Sequence, residues 1–309
     1  MSHRRGATGL VGILPVDKPA GMTSHDVVRA VRRSTGEGRV GHAGTLDPLA
    51  TGLLVVLVGP ATRLAPWLSG AKKTYVARFV FGTRTDTDDA DGTVIAAAEV
   101  PAKLTEETFA ATAVRSLEAE HLQVPPAFSA IKSDGRVAHR AARAGQPLEL
   151  EPRPIRVLRA RLLHTEPGPP TSWDIELTVS KGTYVRALAR VLGHELGTEA
   201  HLGALRRVAS GNLTLRDAST LERVEQAGPA IEELFADPVW ALGFARVAVD
   251  DAAAALVSHG GALGPEQVPP PIPPPGSEVS VVHEGSFLGV YESDGEQLYA
   301  AVVLPTETS

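Results

Sequence analysis

The sequence predicts an α+β protein with two domains. Strand and helix patterns follow one another without the regular spacing of βαβ units. Residues 173–180 alternate strictly between apolar and polar side chains, as a half-buried strand does. After residue 238 the chain becomes acidic, six prolines fall within residues 269–275, and short strand patterns follow. We therefore expect a large domain over residues 1–238 and a small β-rich domain over residues 239–309.

Capping and periodicity signals predict the individual elements. A capped helix is expected over residues 25–34, because capping side chains precede valines at helical spacing and Gly36 follows. Aromatic and β-branched residues predict a strand over residues 74–82. The other predicted elements are a helix opening at Thr105 to Glu107, a helix from Tyr184 to Leu196, and strands at Val279 to Val282, Phe287 to Tyr291 and Leu298 to Leu304.

Composition excludes several classes of protein. The chain has 309 residues, 43% of them hydrophobic, and no apolar run near the roughly 20 residues that a membrane-spanning helix needs. Its start has basic residues before a short apolar run but no cleavage site, and Asp17 follows, so a cytoplasmic protein is expected. The absence of cysteine excludes disulfides, thiolate metal sites and thiol nucleophiles.

Charge is distributed unevenly along the chain. The formal net charge is −6, yet residues 220–309 contain 14 Asp and Glu against two Lys and Arg. The rest of the chain is basic, and residues 132–161 alone carry eight Lys and Arg against three Asp and Glu. This asymmetry points to a polyanionic partner for the basic part, with a solvated charged face as the alternative.

Three generic motifs fail on inspection. A zinc-protease pattern begins at His194, but Thr198 stands where the second histidine ligand is needed. Residues 70–74 lack the Gly-Lys-Thr ending of a phosphate-binding loop. The aspartates within residues 86–91 do not form a calcium loop, because Ala90 falls at a ligand position. The sequence supports neither a metal nor a nucleotide cofactor.

The densest unusual segment is the glycine-rich loop of residues 41–52. Its glycines permit positive φ or a close backbone approach, and Pro48 directs Asp47 away from helical geometry. Taken alone, an Asp-Pro pair is most often a turn. The whole string, Gly-His-Ala-Gly-Thr-Leu-Asp-Pro-Leu-Ala-Thr-Gly, resembles the signature of the TruB family of tRNA pseudouridine synthases.

Further motifs support this resemblance and fall in the family's order. One departure is Phe128, where many relatives have tyrosine, so a hydroxyl is missing while the ring is kept. Residues after 238 resemble the family's small PUA-like RNA-binding domain only loosely, and their acidity argues against RNA contact there. The matching motifs lie at residues 16–24, 72–75, 84–88 followed by 91–92, 124–126 with 129–132, and 181–186, so the resemblance covers roughly residues 10–210.

The resemblance implies a pseudouridine-synthase catalytic domain, with a mixed, mainly antiparallel sheet and flanking helices, before a small PUA-like β domain. The implied reaction isomerises the uridine at position 55 in the T-loop of tRNA. It breaks the bond from uracil N1 to sugar C1′ and joins C5 to the same carbon. Asp47 is implied as the catalytic carboxylate, either nucleophile at C1′ or base at C2′. Arg186 is implied to keep Asp47 ionised and oriented through a planar, paired contact.

The resemblance also assigns residues to the substrate. The target base must be flipped out, and Tyr75 is implied as a catalytic aromatic platform that stacks on it and can serve proton transfer at C5. Tyr184 and Leu205 are implied to line the same pocket, and His42 to fill the gap left by the base. Lys18 is implied to support the active-site loop or a phosphate. A mobile thumb over about residues 124–153 is implied to contact phosphates of the T-arm through Lys132, Arg136, Arg140 and Arg143.

Two rival functions remain open. A protein that folds tRNA without catalysis would bind RNA and make no pseudouridine. A nucleoside hydrolase or glycosidase using Asp47 would call for a second catalytic carboxylate, and none stands out near the motif. We expect a monomer that binds the T-arm of tRNA and uses no cofactor, metal or membrane. A chain ending near Pro238 is expected to keep catalysis, because the motifs and the basic excess precede it.

Overall fold

A long sheet of mixed direction organises the first part of the chain. The structure, a computed structural model, describes residues 8–129, 131–133, 136–146 and 148–305. The strands of this sheet and of the small hairpins beside it are, in chain order, β1 (Gly12–Lys18), β2 (Val40–His42), β3 (Thr51–Val58), β4 (Lys73–Phe81), β5 (Thr83–Thr85), β6 (Val94–Ala97), β7 (Glu120–Gln123), β8 (Lys132–Ser133), β9 (Arg136–Val137), β10 (Arg153–Glu166), β11 (Ser172–Val179), β12 (Ala200–Ser210), β13 (Leu213–Thr214) and β14 (Ser219–Thr220).

The central sheet has the strand order β14-β1-β3-β12-β4-β11-β10-β7, with β2 added to β3 and β13 to β12. Strand β1 is parallel to β14, and β12 is parallel to β3, whereas the other neighbouring pairs of this sheet are antiparallel. Two separate hairpins pair β5 with β6 and β8 with β9. The mixed, mainly antiparallel sheet that the resemblance implied is therefore confirmed.

Helices flank this sheet, and the first of them begins as the sequence predicts. The Asp26 amide donates to the Thr23 hydroxyl at 3.1 Å, while the Thr23 amide donates to the Asp26 carboxylate at 2.8 Å. Gly36 ends the helix with a φ of 70°. The helices are α1 (Ser24–Thr35), α2 (Ala65–Gly70), α3 (Glu107–Arg115), α4 (Ala138–Arg143), α5 (Val185–Glu195), α6 (Leu221–Ala227), α7 (Pro238–Leu242) and α8 (Asp251–Ser258), with 3-10 turns at Gly59–Leu64, Ala102–Thr105 and Gly228–Leu234.

One face of the central sheet carries the main core. Helices α1, α3, α5 and α6 pack on this face and bury apolar side chains such as Val31, Val114, Leu188 and Val224. Strand β11 contributes through the predicted alternation, since its apolar side chains are buried and its polar ones after Ser172 are partly exposed. The predicted strand over residues 173–180 is confirmed with a shift of one residue.

A four-stranded sheet forms the C-terminal part within the described residues. In the order in which they pair, its strands are β15 (Ala245–Ala248), β16 (Glu278–His283), β17 (Ser286–Ser293) and β18 (Leu298–Val303). The turn between the last two strands is closed where the Asp294 amide donates to the Gln297 carbonyl at 3.1 Å. The expected small β-rich fold at this end is confirmed. None of the described helices has the length and apolarity needed to cross a membrane.

The C-terminal sheet packs on the other face of the central sheet. Arg63 donates from Nη1 to the Val303 carbonyl at 2.8 Å. Removing the chain after Pro238 would expose apolar side chains that the C-terminal sheet covers. That a chain ending there keeps catalysis stays a prediction. One buried cluster joins the two parts through Ile13, Leu53, Leu57, Leu64, Leu68, Ala241, Val290, Val302 and Leu304.

Candidate active site

Asp47 lies in the loop between β2 and β3, held against the start of α1. The Ser24 hydroxyl donates to the Leu46 carbonyl at 3.0 Å and accepts from the Leu46 amide at 2.8 Å. The Gly21 amide donates to the Pro48 carbonyl at 2.9 Å. Both neighbours of Asp47 are thus tied to the N-terminal segment, while the carboxylate itself remains 39% exposed. The loop presents this carboxylate from a fixed backbone.

Arg186 is buried in the first turn of α5 and contacts Asp47. Its Nε atom lies 3.0 Å from Oδ2 of Asp47, close but poorly aligned for a hydrogen bond. Its Nη1 donates to the Thr87 carbonyl at 2.8 Å, and its Nη2 donates to the Phe128 carbonyl at 3.0 Å. The contact expected from the sequence is present, but it is a single ion pair and not the planar, paired contact that was predicted. The other guanidinium nitrogens hold main-chain carbonyls.

A second carboxylate lies behind Arg186. Oδ2 of the buried Asp89 is 3.4 Å from Nη1 of Arg186, and Oδ1 accepts from the Thr87 hydroxyl at 2.6 Å. The adjacent Asp88 is paired with Arg190 one helical turn further along α5. A cation in the first turn of a helix opposes the helix dipole, and these carboxylates offset that cost.

Burial raises the pKa of Asp47 above the ordinary aspartate value. The Arg186 guanidinium opposes this shift, the Asp89 carboxylate adds to it, and the Lys18 ammonium lowers the pKa more weakly. Although its side chain is partly exposed, enough protein surrounds the carboxylate for desolvation to be the largest effect. The protein around Asp47 therefore removes part of the water that would hydrate its carboxylate, and supplies the close guanidinium of Arg186 instead.

Lys18 supports the Asp47 loop from the protein interior. It is 0% exposed, and its Nζ donates to the carbonyls of Met22 at 2.6 Å, Pro19 at 2.9 Å and Pro48 at 3.4 Å. Burial lowers its pKa to about 8, while the Asp47 carboxylate raises it. Of the two roles that the sequence left open, this geometry is that of loop support. A phosphate contact by Lys18 is not compatible with such complete burial.

Tyr75 and Leu205 lie on adjacent strands of the central sheet. Tyr75 is paired with Arg207 in the ladder between β4 and β12, and Leu205 is paired with Ala77. Both side chains belong to the buried cluster that also contains Leu46, the residue before Asp47. Both predicted pocket residues are thus buried on the face of the central sheet that also receives Leu46 from the Asp47 loop.

Tyr184 joins the start of α5 to the segment that precedes the predicted thumb. Its amide donates to the Gln123 side chain at 2.9 Å, and its carbonyl accepts from the same side chain at 3.1 Å. Burial raises the pKa of the Tyr184 phenol, the Ser129 hydroxyl lowers it through a hydrogen bond, and Asp47 raises it by its charge. Tyr184 is therefore close enough to Asp47 for the two to interact electrostatically, as its predicted place in the pocket requires.

His42 ends β2 beside the helix α1. Its ring packs edge-on against the ring of His25, with 5.8 Å between centroids. Burial lowers the pKa of His42, and the nearby His25 and Arg207 lower it further. The ring is therefore mainly neutral near pH 7, which favours contact with an uncharged base over contact with a phosphate.

The predicted phosphate-binding residues fall on β8, β9 and α4. Arg136 is exposed, with Nη2 donating to the Gln146 side chain at 3.1 Å, and Arg140 is also exposed. Lys132 lies in β8 and Arg143 ends α4, but their side chains lie outside the described part of the structure. The described basic side chains of this segment are therefore available to a partner.

Sequence reasoning missed two site residues. Asp89 belongs to the rejected calcium-loop pattern, and its usable signal is its position between the family motif residues 84–88 and 91–92. Arg207, which is buried against the Asp47 loop, had only a weak signal, since it is one of two consecutive arginines in a strand whose burial varies along its length. The contacts of Asp89 and Arg207 could not be inferred without the order of the strands in the sheet.

Two other features lie in the C-terminal part, away from this loop. Potential metal ligands of Asp251, His283 and Glu284 come within 4.8 Å of one another, but this group is largely exposed and Asp251 is already paired with His283 at 2.8 Å. A cavity of about 890 Å³ is lined by Arg63, His283 and strand β18 among others. Neither feature involves a residue that contacts Asp47.

Comparison with known proteins places the chain in a family. The family described as "TruB family pseudouridylate synthase (N terminal domain)" matches residues 32–185. The tRNA pseudouridine synthase B of Mycobacterium leprae (strain TN) is 46% identical over 229 residues, which cover 72% of this chain and 71% of the relative. The protein of that name from Mycobacterium bovis (strain BCG / Pasteur 1173P2) is 41% identical over 304 residues, 98% of each chain.

Solved structures agree in fold. A chain from the crystal structure of a Cbf5-Nop10-Gar1 complex has a TM-score of 0.69 and 25% identity, over 94% of this chain and 84% of that one. A chain of an H/ACA RNP bound to a substrate RNA containing 2′-deoxyuridine has a TM-score of 0.69 and 22% identity, over 96% of this chain and 86% of that one. On the family match, and above all on the 41% identity to a curated relative over 98% of both chains, the chain belongs to the TruB family of pseudouridylate synthases.

Proposed function

We propose that this protein isomerises uridine to pseudouridine in tRNA, and that its target is the uridine at position 55 in the T-loop. The observation that carries the proposal is the contact of Asp47, in the family's glycine-rich loop, with the buried guanidinium of Arg186. A partly exposed carboxylate beside a fixed cation suits chemistry at a sugar carbon. The name of the relatives, tRNA pseudouridine synthase B, supports tRNA as the substrate.

The proposed reaction conserves every atom of the nucleotide. The bond from N1 to C1′ breaks, the uracil rotates within the pocket, and C5 bonds to C1′, after which C5 loses a proton and N1 gains one. The Asp47 carboxylate either bonds to C1′ and is later displaced, or takes a proton from C2′ and later returns it. Both routes begin from the ionised carboxylate and regenerate it, and the charge of Arg186 favours that form.

The flipped uracil is proposed to sit between Tyr75 and Leu205. The two residues occupy neighbouring strands and share a buried cluster with Leu46, so a base beside Asp47 would meet an aromatic ring and an aliphatic side chain. Stacking of a base on an aromatic ring contributes about 1–3 kcal/mol. In this arrangement Tyr75 can also serve proton transfer at C5, and the neutral ring of His42 fills the space that the base vacates.

RNA affinity is proposed to come mainly from the segment of residues 124–153. Arg136 and Arg140 are exposed on β9 and α4, and Arg153 at the start of β10 is also exposed. This segment is linked to the site, because the Phe128 carbonyl accepts from Arg186. Phosphate contacts from these arginines would position the T-arm without reading its bases. A monomer acting in the cytoplasm remains part of this proposal.

The direct test is to incubate the protein with an unmodified tRNA transcript and map pseudouridine along it. We expect modification at position 55 alone, and none in a matched transcript with cytidine at that position. Pseudouridine at other positions would contradict the T-loop assignment while leaving the reaction intact. Tight RNA binding with no pseudouridine in any transcript would favour the alternative, a non-catalytic tRNA-folding protein.

A further inference from the structure

Two consecutive arginines of β12 have opposite environments. Arg206 is partly exposed and forms an ion pair with Asp17, with 2.7 Å between Nη2 and Oδ2. Arg207 is only 1% exposed, and no described carboxylate lies within 4 Å of its guanidinium. Burying a charge without a paired carboxylate is costly, and an apolar residue of similar shape often fits such a site at least as well. The buried arginine therefore calls for an explanation beyond packing.

The guanidinium of Arg207 binds the main chain on both sides of Asp47. Its Nη2 donates to the Gly44 carbonyl at 3.0 Å, and its Nη1 donates to the Thr45 carbonyl at 3.3 Å. Its Nε donates to the Leu53 carbonyl at 2.7 Å, beyond the other end of the loop. One side chain thus joins the segment before Asp47 to the strand after it.

The backbone of Arg207 closes on the same loop. Arg207 is paired with Gly52 in the ladder between β12 and β3, and a Cβ atom on Gly52 would come within 2.3 Å of the Arg207 carbonyl oxygen. Gly52 has a φ of 97° and Gly44 a φ of 104°, both in the region that favours glycine. A Cβ on Gly44 would lie 3.5 Å from Nη1 of Arg207. Two of the three glycines in the loop, Gly44 and Gly52, thus lie against Arg207, and Gly52 has no room there for a side chain.

Other cations beneath the loop do not replace Arg207. Lys73 lies nearby, but its Nζ donates to the carbonyls of Ser69 and Ala71, each at 2.6 Å, at the end of α2. Lys18 binds the loop at the Pro48 carbonyl on the other side of Asp47. Within the described structure, the carbonyls of Gly44 and Thr45 therefore depend on Arg207 for their side-chain donors.

We propose that Arg207 is a positioning residue, which sets the place of the Asp47 carboxylate by clamping both ends of its loop. This inference rests on the proposed function, since it concerns the geometry of that reaction. Arg207 acts through the backbone, whereas Arg186 contacts the carboxylate itself. Misplacing a reacting group by about 1 Å can cost about 100-fold in rate, so loosening the clamp should slow the chemical step and spare RNA binding.

The test compares Arg207→Lys with Arg206→Lys, a matched control at the neighbouring position. A lysine at position 207 keeps the charge but cannot reach three carbonyls in the fork geometry of a guanidinium. Single-turnover rates and dissociation constants are measured with full tRNA, and the folded fraction is determined for each protein. We expect Arg207→Lys to lose about 10- to 100-fold in rate, with affinity within a few-fold of the wild type. Arg206→Lys should keep nearly its full rate.

The pH profile separates positioning from a merely structural or electrostatic role. Arg207→Lys should lower the plateau of the rate without moving the midpoint of its acid limb. A rate per folded molecule within two-fold of the wild type would overturn the proposal, and so would a shifted midpoint with an unchanged plateau. If wild-type protein makes no pseudouridine, the proposed function fails; if it does and Arg207→Lys is equally fast, this inference alone fails.

A second variant decides the matter if Arg207→Lys does not fold. Gly44→Ala leaves Arg207 in place but forces a side chain onto a φ of 104° beside Nη1, which should displace the Gly44 carbonyl from the clamp. We expect a rate loss of about 10-fold or more with tRNA affinity kept. A folded Gly44→Ala protein with the wild-type rate would contradict the clamp.

Discussion

Nε of Arg186 lies 3.0 Å from Oδ2 of Asp47, and the buried arginine holds the partly exposed carboxylate. The guanidinium is fixed by the carbonyls of Thr87 and Phe128 and by the Asp89 carboxylate. Its position is therefore set by two other segments of the chain, the loop of Thr87 and Asp89 and the segment of Phe128, before any substrate binds. Asp47 meets a cation that needs little rearrangement when charge develops in the reaction.

Arg186→Lys should lose most of the activity. The lysine side chain is shorter and ends in a single ammonium group, so it cannot contact Asp47 while also donating to both the Thr87 and Phe128 carbonyls. We expect at least about a 100-fold fall in the single-turnover rate, because a buried carbonyl loses its donor and the catalytic ion pair loosens. Arg190→Lys, one turn away and paired with Asp88, is the matched control and should retain more activity. A near-normal rate for Arg186→Lys would show that the contact is dispensable.

The pH dependence of the rate should report Asp47. Burial raises the pKa of Asp47 in the folded protein, so its ionised form is lost as pH falls through a value above the ordinary 3.8. The single-turnover rate should show an acid limb with that midpoint. Arg186→Gln removes the cation that lowers this pKa, so its limb should move to higher pH. A shift to lower pH would contradict the assigned role of Arg186.

The same shift makes a prediction for stability. A carboxylate whose pKa is raised on folding stabilises the fold below its unfolded pKa, and that contribution is lost as pH rises through the folded pKa. Ionised Asp47 should therefore lower the free energy of unfolding at neutral pH. We expect Asp47→Asn to unfold in urea at pH 7 no earlier than the wild type. A clear loss of stability in Asp47→Asn would indicate that its pairing with Arg186 outweighs its burial.

Lys18→Met should destabilise the protein and slow catalysis. The ammonium donates to the carbonyls of Pro19, Met22 and Pro48, which methionine would leave without those donors. Leaving buried acceptors unsatisfied costs about 1–3 kcal/mol in the free energy of unfolding. Urea unfolding measures this loss of stability, and Lys72→Met, at an exposed position, is the control. An unchanged unfolding midpoint and rate would mean that the loop does not need Lys18.

Acidic residues of the C-terminal sheet should weaken RNA affinity at low salt. Glu278, Glu292 and Glu296 are exposed, and neutralising all three to glutamine leaves the buried cluster beneath them intact. We expect tRNA affinity to rise a few-fold at low ionic strength and to match the wild type at high salt, with the turnover rate unchanged. Weaker binding by the triple variant would instead indicate that this surface contacts RNA.

Local patterns in the sequence predicted the elements better than the contacts between them. The capping signals of α1 and the alternation of β11 depend on neighbouring residues, so both were found within one residue of their observed bounds. The contact of Arg186 with Asp47 could be inferred only from the family resemblance. Its single-atom geometry could not, because Thr87, Asp89 and Phe128 reach the guanidinium from distant segments.

Long-range packing also bears on two questions that the composition of the chain leaves open. The charge of Lys18 by itself would suit a phosphate contact. In the structure its ammonium is fully buried and donates to the carbonyls of Met22 and Pro48. The acidic C-terminal part looks separable by composition, whereas Val302 and Leu304 share a buried cluster with Leu57. Arg207 went unnoticed because its partners, the carbonyls around Asp47, carry no signature in the sequence.

Asp47→Asn tests the central claim most directly. Wild-type and variant proteins are incubated with unmodified tRNA transcript, and pseudouridine at position 55 is measured alongside tRNA affinity. The amide keeps the shape of the side chain but can neither attack C1′ nor accept the C2′ proton. We predict no pseudouridine from Asp47→Asn, with affinity within a few-fold of the wild type, because phosphate contacts supply binding. Pseudouridine formation by the variant at a rate near that of the wild type would contradict the account.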